Sequence, residues 1–344
     1  MKKRVGIAVI GAGRIGSLHA RNIAFHIPEA SLVAVADPFV EAAGRVAAFC
    51  RAPHVTDDPE TCIRMDGVDA VLICSSTDTH APLVTLAAEY GKHIFCEKPL
   101  SLDLASIDRI LESVEKAGVK LQVGFNRRFD PSFRGARDVI ARGDIGTPHL
   151  LRITSRDPSP PPMEYVKVSG GIFLDMTIHD FDMARFLMGC EVEKVFAAAG
   201  VLVDPAIGRA GDFDTAITTL EFSSGALGAI DNSRKAVYGY DQRIEVFGSN
   251  GAVAVGNRSP ESTVLSDSRG VHGARPYHFF LERYAESYLE EIKAFIRCLC
   301  DDMPPPVTGR DGRIPVVIGH AALRSAREGR PVALSEIDPS PGAA

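Results

Sequence analysis

The run Val5-Gly-Ile-Ala-Val-Ile10 passes directly into Gly11-Ala-Gly13-Arg-Ile-Gly16, and nothing else restricts the fold of this 344-residue chain so tightly. A short apolar run of this kind forms a buried parallel strand. A helix is expected over residues 15–27, and a second apolar run, Leu32-Val-Ala-Val-Ala36, ends on Asp37. Strand, glycine turn, helix, strand and acid in that order form the dinucleotide-binding fingerprint. Gly11 allows the tight turn, and Gly13 leaves room for a pyrophosphate against backbone N–H groups at the helix N-terminus. Gly16 lets helix and strand pack closely. Asp37, 21 residues beyond Gly16, is placed to accept hydrogen bonds from the adenosine ribose. Its charge repels a 2′-phosphate, and Pro38 stands where an arginine or serine would suit that phosphate, so the pattern favours NAD over NADP.

The alternation continues. Strands are expected at Ala70–Cys74, Lys92–Cys96 and Lys120–Val123, with helices over Pro82–Tyr90 and Leu104–Lys116. Alternating strands and helices imply right-handed crossovers and a doubly wound parallel sheet, which binds ligands beyond the carboxyl ends of its strands. Ser75, Ser76, Thr77 and His80 follow one such end, and Glu97-Lys98-Pro99 follows another. The serines and threonine would serve equally as helix caps. The candidate cofactor-binding set is therefore Gly11, Gly13, Arg14, Ile15, Gly16, Asp37, Ser75, Ser76, Thr77, His80, Glu97 and Lys98.

After Gly124 the grammar changes to longer alternating runs: Pro148–Thr154, Val192–Val203, Phe213–Phe222, Ala226–Asn232 and Arg243–Phe247. Apolar/polar alternation predicts a mostly antiparallel sheet with one face covered. Ser223-Ser-Gly225 reads as a hairpin turn, and Asp157-Pro-Ser-Pro-Pro-Pro162 as a stiff extended loop. Long helices are expected over Phe279–Cys300 and about Arg313–Glu328. The expected organisation is a dinucleotide-binding domain over 1–124, an α+β domain over 125–337 and a loose tail over 338–344.

Inside the second half, Ser169-Gly-Gly-Ile-Phe-Leu-Asp-Met-Thr-Ile-His-Asp-Phe-Asp182 places Asp175 and His179 four residues apart. On a helix that spacing sets a carboxylate and an imidazole on one face, and histidine titrates nearest neutral pH. A structural ion pair accounts for the spacing as well as a catalytic one does. Gly170 and Gly171 would let the backbone approach a bound molecule.

Composition excludes several classes. Net charge is −6 with both signs interspersed, which gives no basic footprint for nucleic acid. No apolar run is long enough to span a bilayer, and the run behind Met1-Lys-Lys-Arg is cut by glycines as a signal peptide is not. Seven cysteines, an odd number, lie scattered, and Cys298-x-Cys300 lacks metal-ligand spacing. Reduced thiols, a cytoplasmic location and no metal are expected.

The glycine turn, Glu97-Lys98-Pro99 and Asp175-x-x-x-His179 together resemble the glucose–fructose oxidoreductase / inositol dehydrogenase family, over nearly the whole chain. Gly124–Asp130, Gly170–Asp180 and Asp231–Asp241 are closer still to its bacterial myo-inositol 2-dehydrogenase branch. The resemblance implies a Rossmann domain, a second domain with a large open sheet, substrate lying over the nicotinamide between them, and a homotetramer built on the sheets. It implies NAD-dependent oxidation of a cyclitol hydroxyl, myo-inositol to its 2-ketone. Lys98 and His179 would stand at the reacting carbon with Asp175 beside them, and the remaining hydroxyls would meet Arg127, Asp157, Asn232 and Tyr240. Each of these four has a structural explanation too, and Tyr284 is a further, weaker candidate. Two other readings stand: a dehydrogenase of another inositol isomer or an aldose, and a non-catalytic NAD-binding sugar sensor.

Overall fold

A computed structural model describes residues 4–339, so residues 340–344 of the expected tail lie outside the described residues. The six strands of the first sheet are β1 (Val5–Ile10), β2 (Ala30–Ala36), β3 (His54–Thr56), β4 (Ala70–Ile73), β5 (His93–Glu97) and β6 (Leu121–Gly124). They run parallel in the order β3-β2-β1-β4-β5-β6. The helices between them are α1 (Arg14–His26), α2 (Val40–Cys50), α3 (Pro59–Arg64), α4 (Thr77–Glu89) and α5 (Leu104–Ala117). The order reverses between β1 and β4, the switch point at which such sheets bind nucleotides.

The chain divides into two units: residues up to Phe129 with Glu286–Ile314, and Asp130–Ala285 with the residues from Pro315 on. One crossing near residue 124 was the expectation from sequence; in the structure the chain also returns to the first unit. The cause is the apolar stripe on α11 (Ala285–Cys300). Ile292, Phe295 and Ile296 join Ile7, Val9, Leu72 and Phe95 in one buried cluster. Each such side chain, fully buried, contributes roughly 1.5–3 kcal/mol. The expected helix over Phe279–Cys300 is split, with α10 (Phe280–Arg283) ending at Tyr284 before α11 begins.

A second difference bears on the site. The helix expected from Pro82 starts five residues earlier, at Thr77, and carries Pro82 inside it. Thr77 and His80 are therefore helical, and the strand-to-helix turn is only Cys74–Ser76.

The second unit opens with α6 (Pro131–Ala141), capped by Asp130, whose carboxylate accepts from the Ser132 and Phe133 amides. Its sheet contains β7 (Pro148–Arg156), β8 (Val192–Gly200), β9 (Thr215–Phe222), β10 (Leu227–Ser233), β11 (Asp241–Gly248), β12 (Gly251–Val255) and β15 (Val332–Ala333). The order is β12-β11-β7-β10-β9-β8-β15, antiparallel except for β7 beside β10. The predicted hairpin turn stands between β9 and β10, with Gly225 at φ +82°. One face buries Leu151, Ile153, Leu220, Ile230 and Val246. Three short helices, α7 (Met163–Val166), α8 (Ile178–Met188) and α9 (Pro205–Arg209), fall between strands, and α12 (Gly309–Glu328) follows α11. A separate hairpin pairs β13 (Val264–Asp267) with β14 (Gly270–Gly273). No helix among the described residues is long and apolar enough to cross a membrane.

Candidate active site

In the first unit the glycine turn is shaped as a cradle. Gly11 sits at φ +98°, and a Cβ there would stand 2.6 Å from the Cys74 carbonyl carbon. A Cβ on Gly16 would stand 1.8 Å from the Gly11 oxygen, which enforces the close strand–helix packing. Gly13 differs: a Cβ there would meet no protein atom within 4 Å. It is the N-cap of α1 and supplies no side-chain cap to the first turn of that helix. A helix N-terminus with no side-chain acceptor suits a pyrophosphate. The residues present thus fit NAD.

Asp37 does more than face a ribose. Its Oδ2 accepts from the Ala12 amide at 2.7 Å and its Oδ1 from the Phe39 amide at 2.9 Å. The acid ties the end of β2 to the glycine turn, while its spare lone pairs stay available to hydroxyls. Ser75 shares a 2.6 Å hydrogen bond with Thr79, and Ser76, at the N-cap of α4, makes no side-chain capping bond.

Two members of the proposed cofactor set prove to be turned inward. His80 is 1% exposed, its Nδ1 2.7 Å from the Pro99 oxygen and its Nε2 3.1 Å from the Ser75 oxygen. Burial pushes this imidazole below its usual pKa, against the pull of those two carbonyls. It braces the turn after β5, where the Lys98–Pro99 bond is cis. Glu97 gives its Oε1 to His19 Nε2 at 3.0 Å. Lys98 is half-buried at the end of β5. Arg127 is buried in the single 3₁₀ turn that follows β6.

In the second unit the Asp175–His179 stretch is not one α-helix. Ile172–Met176 forms a π turn, with the Thr177 amide donating to the Ile172 oxygen at 2.8 Å, and α8 starts at Ile178. Asp175 and His179 straddle the junction, so the one-turn alignment expected of an α-helix is replaced by a widened turn. Asp175 accepts from the Tyr165 hydroxyl at 2.8 Å and lies 3.5 Å from the Arg234 guanidinium. Arg234, 1% exposed, also approaches Asp212 at 3.7 Å. Gly171 has φ +81°, and its close neighbour is Asp212, 2.5 Å from where a Cβ would stand. The close approach expected there is thus to the protein's own carboxylate, which accepts from the Ile172 amide.

Asn232 has its amide engaged within the protein. It is 1% exposed; its Nδ2 donates to Asp180 at 2.8 Å and its Oδ1 accepts from Thr177 at 2.9 Å. Both ends of the amide are used in joining β10 to α8, the helix that carries His179. Tyr240 is 6% exposed and stands edge-on to Tyr284, ring centres 5.9 Å apart. Tyr284 is itself buried in the core. Asp157 is half-buried, with its backbone bonded to Ser233 and Ala236. Tyr165, Arg234 and Asp212 escaped sequence reasoning. For Arg234 the signal was present: an arginine next to a strand of alternating apolar residues, in a stretch already singled out.

Residues 5–125 match the oxidoreductase family with an NAD-binding Rossmann fold, and residues 133–254 match the GFO/IDH/MocA C-terminal domain. The chain is 54% identical to a myo-inositol 2-dehydrogenase of Thermotoga maritima over 96% of this chain and 99% of that one. It is 46% identical to an inositol 2-dehydrogenase of Rhizobium meliloti over 96% and 99%. Among solved structures it resembles a scyllo-inositol dehydrogenase of Lactobacillus casei with bound NAD(H) and scyllo-inositol. That likeness has a TM-score of 0.91 at 29% identity and covers 97% of this chain and 100% of that one.

Proposed function

The chain belongs to the GFO/IDH/MocA family of NAD-binding oxidoreductases, and from that premise we propose that it oxidises the 2-hydroxyl of myo-inositol to the ketone. The observation that carries the substrate is the end-to-end match to a myo-inositol 2-dehydrogenase. In this reading His179 takes the hydroxyl proton as general base. Lys98 holds a positive charge beside the oxygen as it becomes alkoxide-like, stabilising the transition state over the neutral alcohol. Asp175, kept in place by Tyr165 and Arg234, orients the imidazole or a neighbouring hydroxyl. NAD, when bound, supplies a hydride acceptor. Arg127, Asp157 and Tyr240 remain the proposed contacts to the other hydroxyls.

The test is a screen of myo-inositol, scyllo-inositol, glucose, galactose and xylose with NAD and NADP in parallel. Fastest turnover of myo-inositol with NAD is expected. Preference for scyllo-inositol, the ligand in the Lactobacillus casei structure, would shift the assignment within the cyclitols. No turnover with any of them, despite NADH binding, would favour the sensor.

We also propose a homotetramer. Leu150, Phe196, Ile217, Leu227 and Phe247 share the outer face of the seven-stranded sheet, each 38–58% exposed. An apolar set of that size on one face is a protein–protein surface. Light scattering should return four chain masses. All seven cysteines are free, which suits a reducing compartment such as the cytoplasm.

A further inference from the structure

One buried titratable cluster has no part in the mechanism above. His19 on α1, Glu97 at the end of β5 and Glu291 on α11 present atoms that all lie within 4.8 Å of one another. The side chains of His19 and Glu291 are fully buried, and that of Glu97 is 14% exposed. His19 Nε2 donates to Glu97 Oε1 at 3.0 Å and lies 3.7 Å from Glu291 Oε1. Neither oxygen of Glu291 has a hydrogen-bond partner. Burial, and then the charge of Glu97, push the Glu291 carboxyl well above its usual range. Burial and a neighbouring carboxylate both favour the protonated form of Glu291. The His19 ring stands edge-on to Phe95 at 5.3 Å and to Tyr288 at 5.8 Å, which fixes its plane. Beneath the Glu97 carboxylate is Gly124, where a Cβ would come within 3.0 Å of it.

We propose that His19 and Glu291 are positioning residues for Lys98, acting through Glu97. Glu97 is the last residue of β5 and Lys98 follows it directly, so pinning Glu97 through His19 fixes the backbone from which Lys98 projects. On the other side of Lys98, the Pro99 carbonyl is held by His80. The lysine is thus bracketed by two tied neighbours, one tied from α1 and the other from α4. α1 is also the helix whose N-terminus faces the pyrophosphate space, so the grip on the cofactor and the aim of the lysine share one rigid element. A metal ion is the competing occupant of such a cluster. Metal-ligating histidines have their second nitrogen held by an acceptor, whereas His19 Nδ1 has no partner. The other titratable groups around the cluster include Tyr288, Cys74 and Cys96, and burial pushes both thiols up.

The inference rests on the assignment of Lys98 to the hydride-transfer step, and a double-mutant cycle separates the two. His19→Leu removes the donor at similar volume, while His19→Gln restores an N–H near the same place. His19→Leu should lower kcat by about 10–100-fold, the scale of a small misplacement in the site. The Kd for NADH, titrated by fluorescence, should stay within about threefold, which also shows that the unit is folded. The primary deuterium isotope effect on kcat should rise. His19→Gln should recover most of the loss, and Glu291→Gln should retain more activity than Glu291→Leu. In a Lys98→Ala background, His19→Leu should add almost nothing. Additive losses, equal losses in His19→Leu and His19→Gln, or wild-type kcat in His19→Leu would each overturn the clamp. So would a rise in Tm with Zn²⁺ in the wild type that is absent in Glu291→Gln, which would make the cluster a cation site. Wild-type kcat in Lys98→Ala alone would instead remove the lysine from the reaction.

Discussion

β1 and β4 are unbroken buried runs, whereas β9 and β10 alternate buried and exposed residues along their length. The first pattern follows from helices on both faces of a parallel sheet and the second from cover on one face only. The difference extends to how each unit carries chemistry. The parallel unit presents backbone: a glycine turn leading into the N-terminus of α1, which has no side-chain cap. The groups proposed in the second unit are side chains, Asp175 and His179, on a π turn and the helix that follows it, with polar struts such as Asn232 behind them. Backbone sites are broken by adding a Cβ, and side-chain sites by removing a functional group.

That contrast is sharpened most by His179→Ala. Loss of the proposed general base should lower kcat by about 10²–10⁴-fold, while NADH still binds. Near-native turnover would take the histidine out of the role. The matching test in the first unit uses two glycines of one motif. Gly16→Ala puts a Cβ into the Gly11 carbonyl and should cost both stability and cofactor. Gly13→Ala meets no protein atom. It should leave Tm unchanged and weaken NADH binding by about tenfold or more, a loss of about 1.4 kcal/mol. Unaltered binding in Gly13→Ala would mean that no pyrophosphate lies there.

Stability offers the next comparison. Phe295 is fully buried, its ring 6.0 Å from that of Phe95. Phe295→Ala should cost about 3–5 kcal/mol. Ile217→Glu, on the exposed face of β9, should leave the fold intact and shift the protein towards smaller assemblies in light scattering.

The first unit was the more legible from sequence because its determinants are local. A glycine that needs φ +98° and an acid 21 residues after Gly16 are visible in a short window. The start of α4 was misplaced because Pro82 looked like a helix beginning, although a proline can sit in an early turn at the loss of one hydrogen bond. The return of α11 was missed because an amphipathic stripe says that a helix is covered, not by which sheet. In the second unit the spacing of Asp175 and His179 was visible, but the π turn that carries Asp175 was not. Tyr165, Arg234 and Asp212 were not legible as neighbours of this stretch, since they come from α7, the end of β10 and the loop before β9, which only the fold brings together. The bonds from Asn232 to Thr177 and Asp180 were hidden for the same reason: a polar residue in a matching stretch does not reveal its partners.

The smallest expected effect tests burial against charge in the first unit. Glu291 has its pKa raised from an ordinary value near 4.5, first by burial and then by Glu97. Above that ordinary value an unfolded chain has released this proton, and the folded chain still holds it. The unfolded state then binds fewer protons, so stability falls as pH rises, from about 4.5 up to the raised value. The slope from one group is at most about 1.4 kcal/mol per pH unit. Glu291→Gln keeps the shape, carries no proton to lose and should flatten this part of the profile. Melting both proteins from pH 5 to pH 8 should therefore show Glu291→Gln gaining on the wild type as pH rises. A constant difference across that range would mean that Glu291 is ionised in the fold.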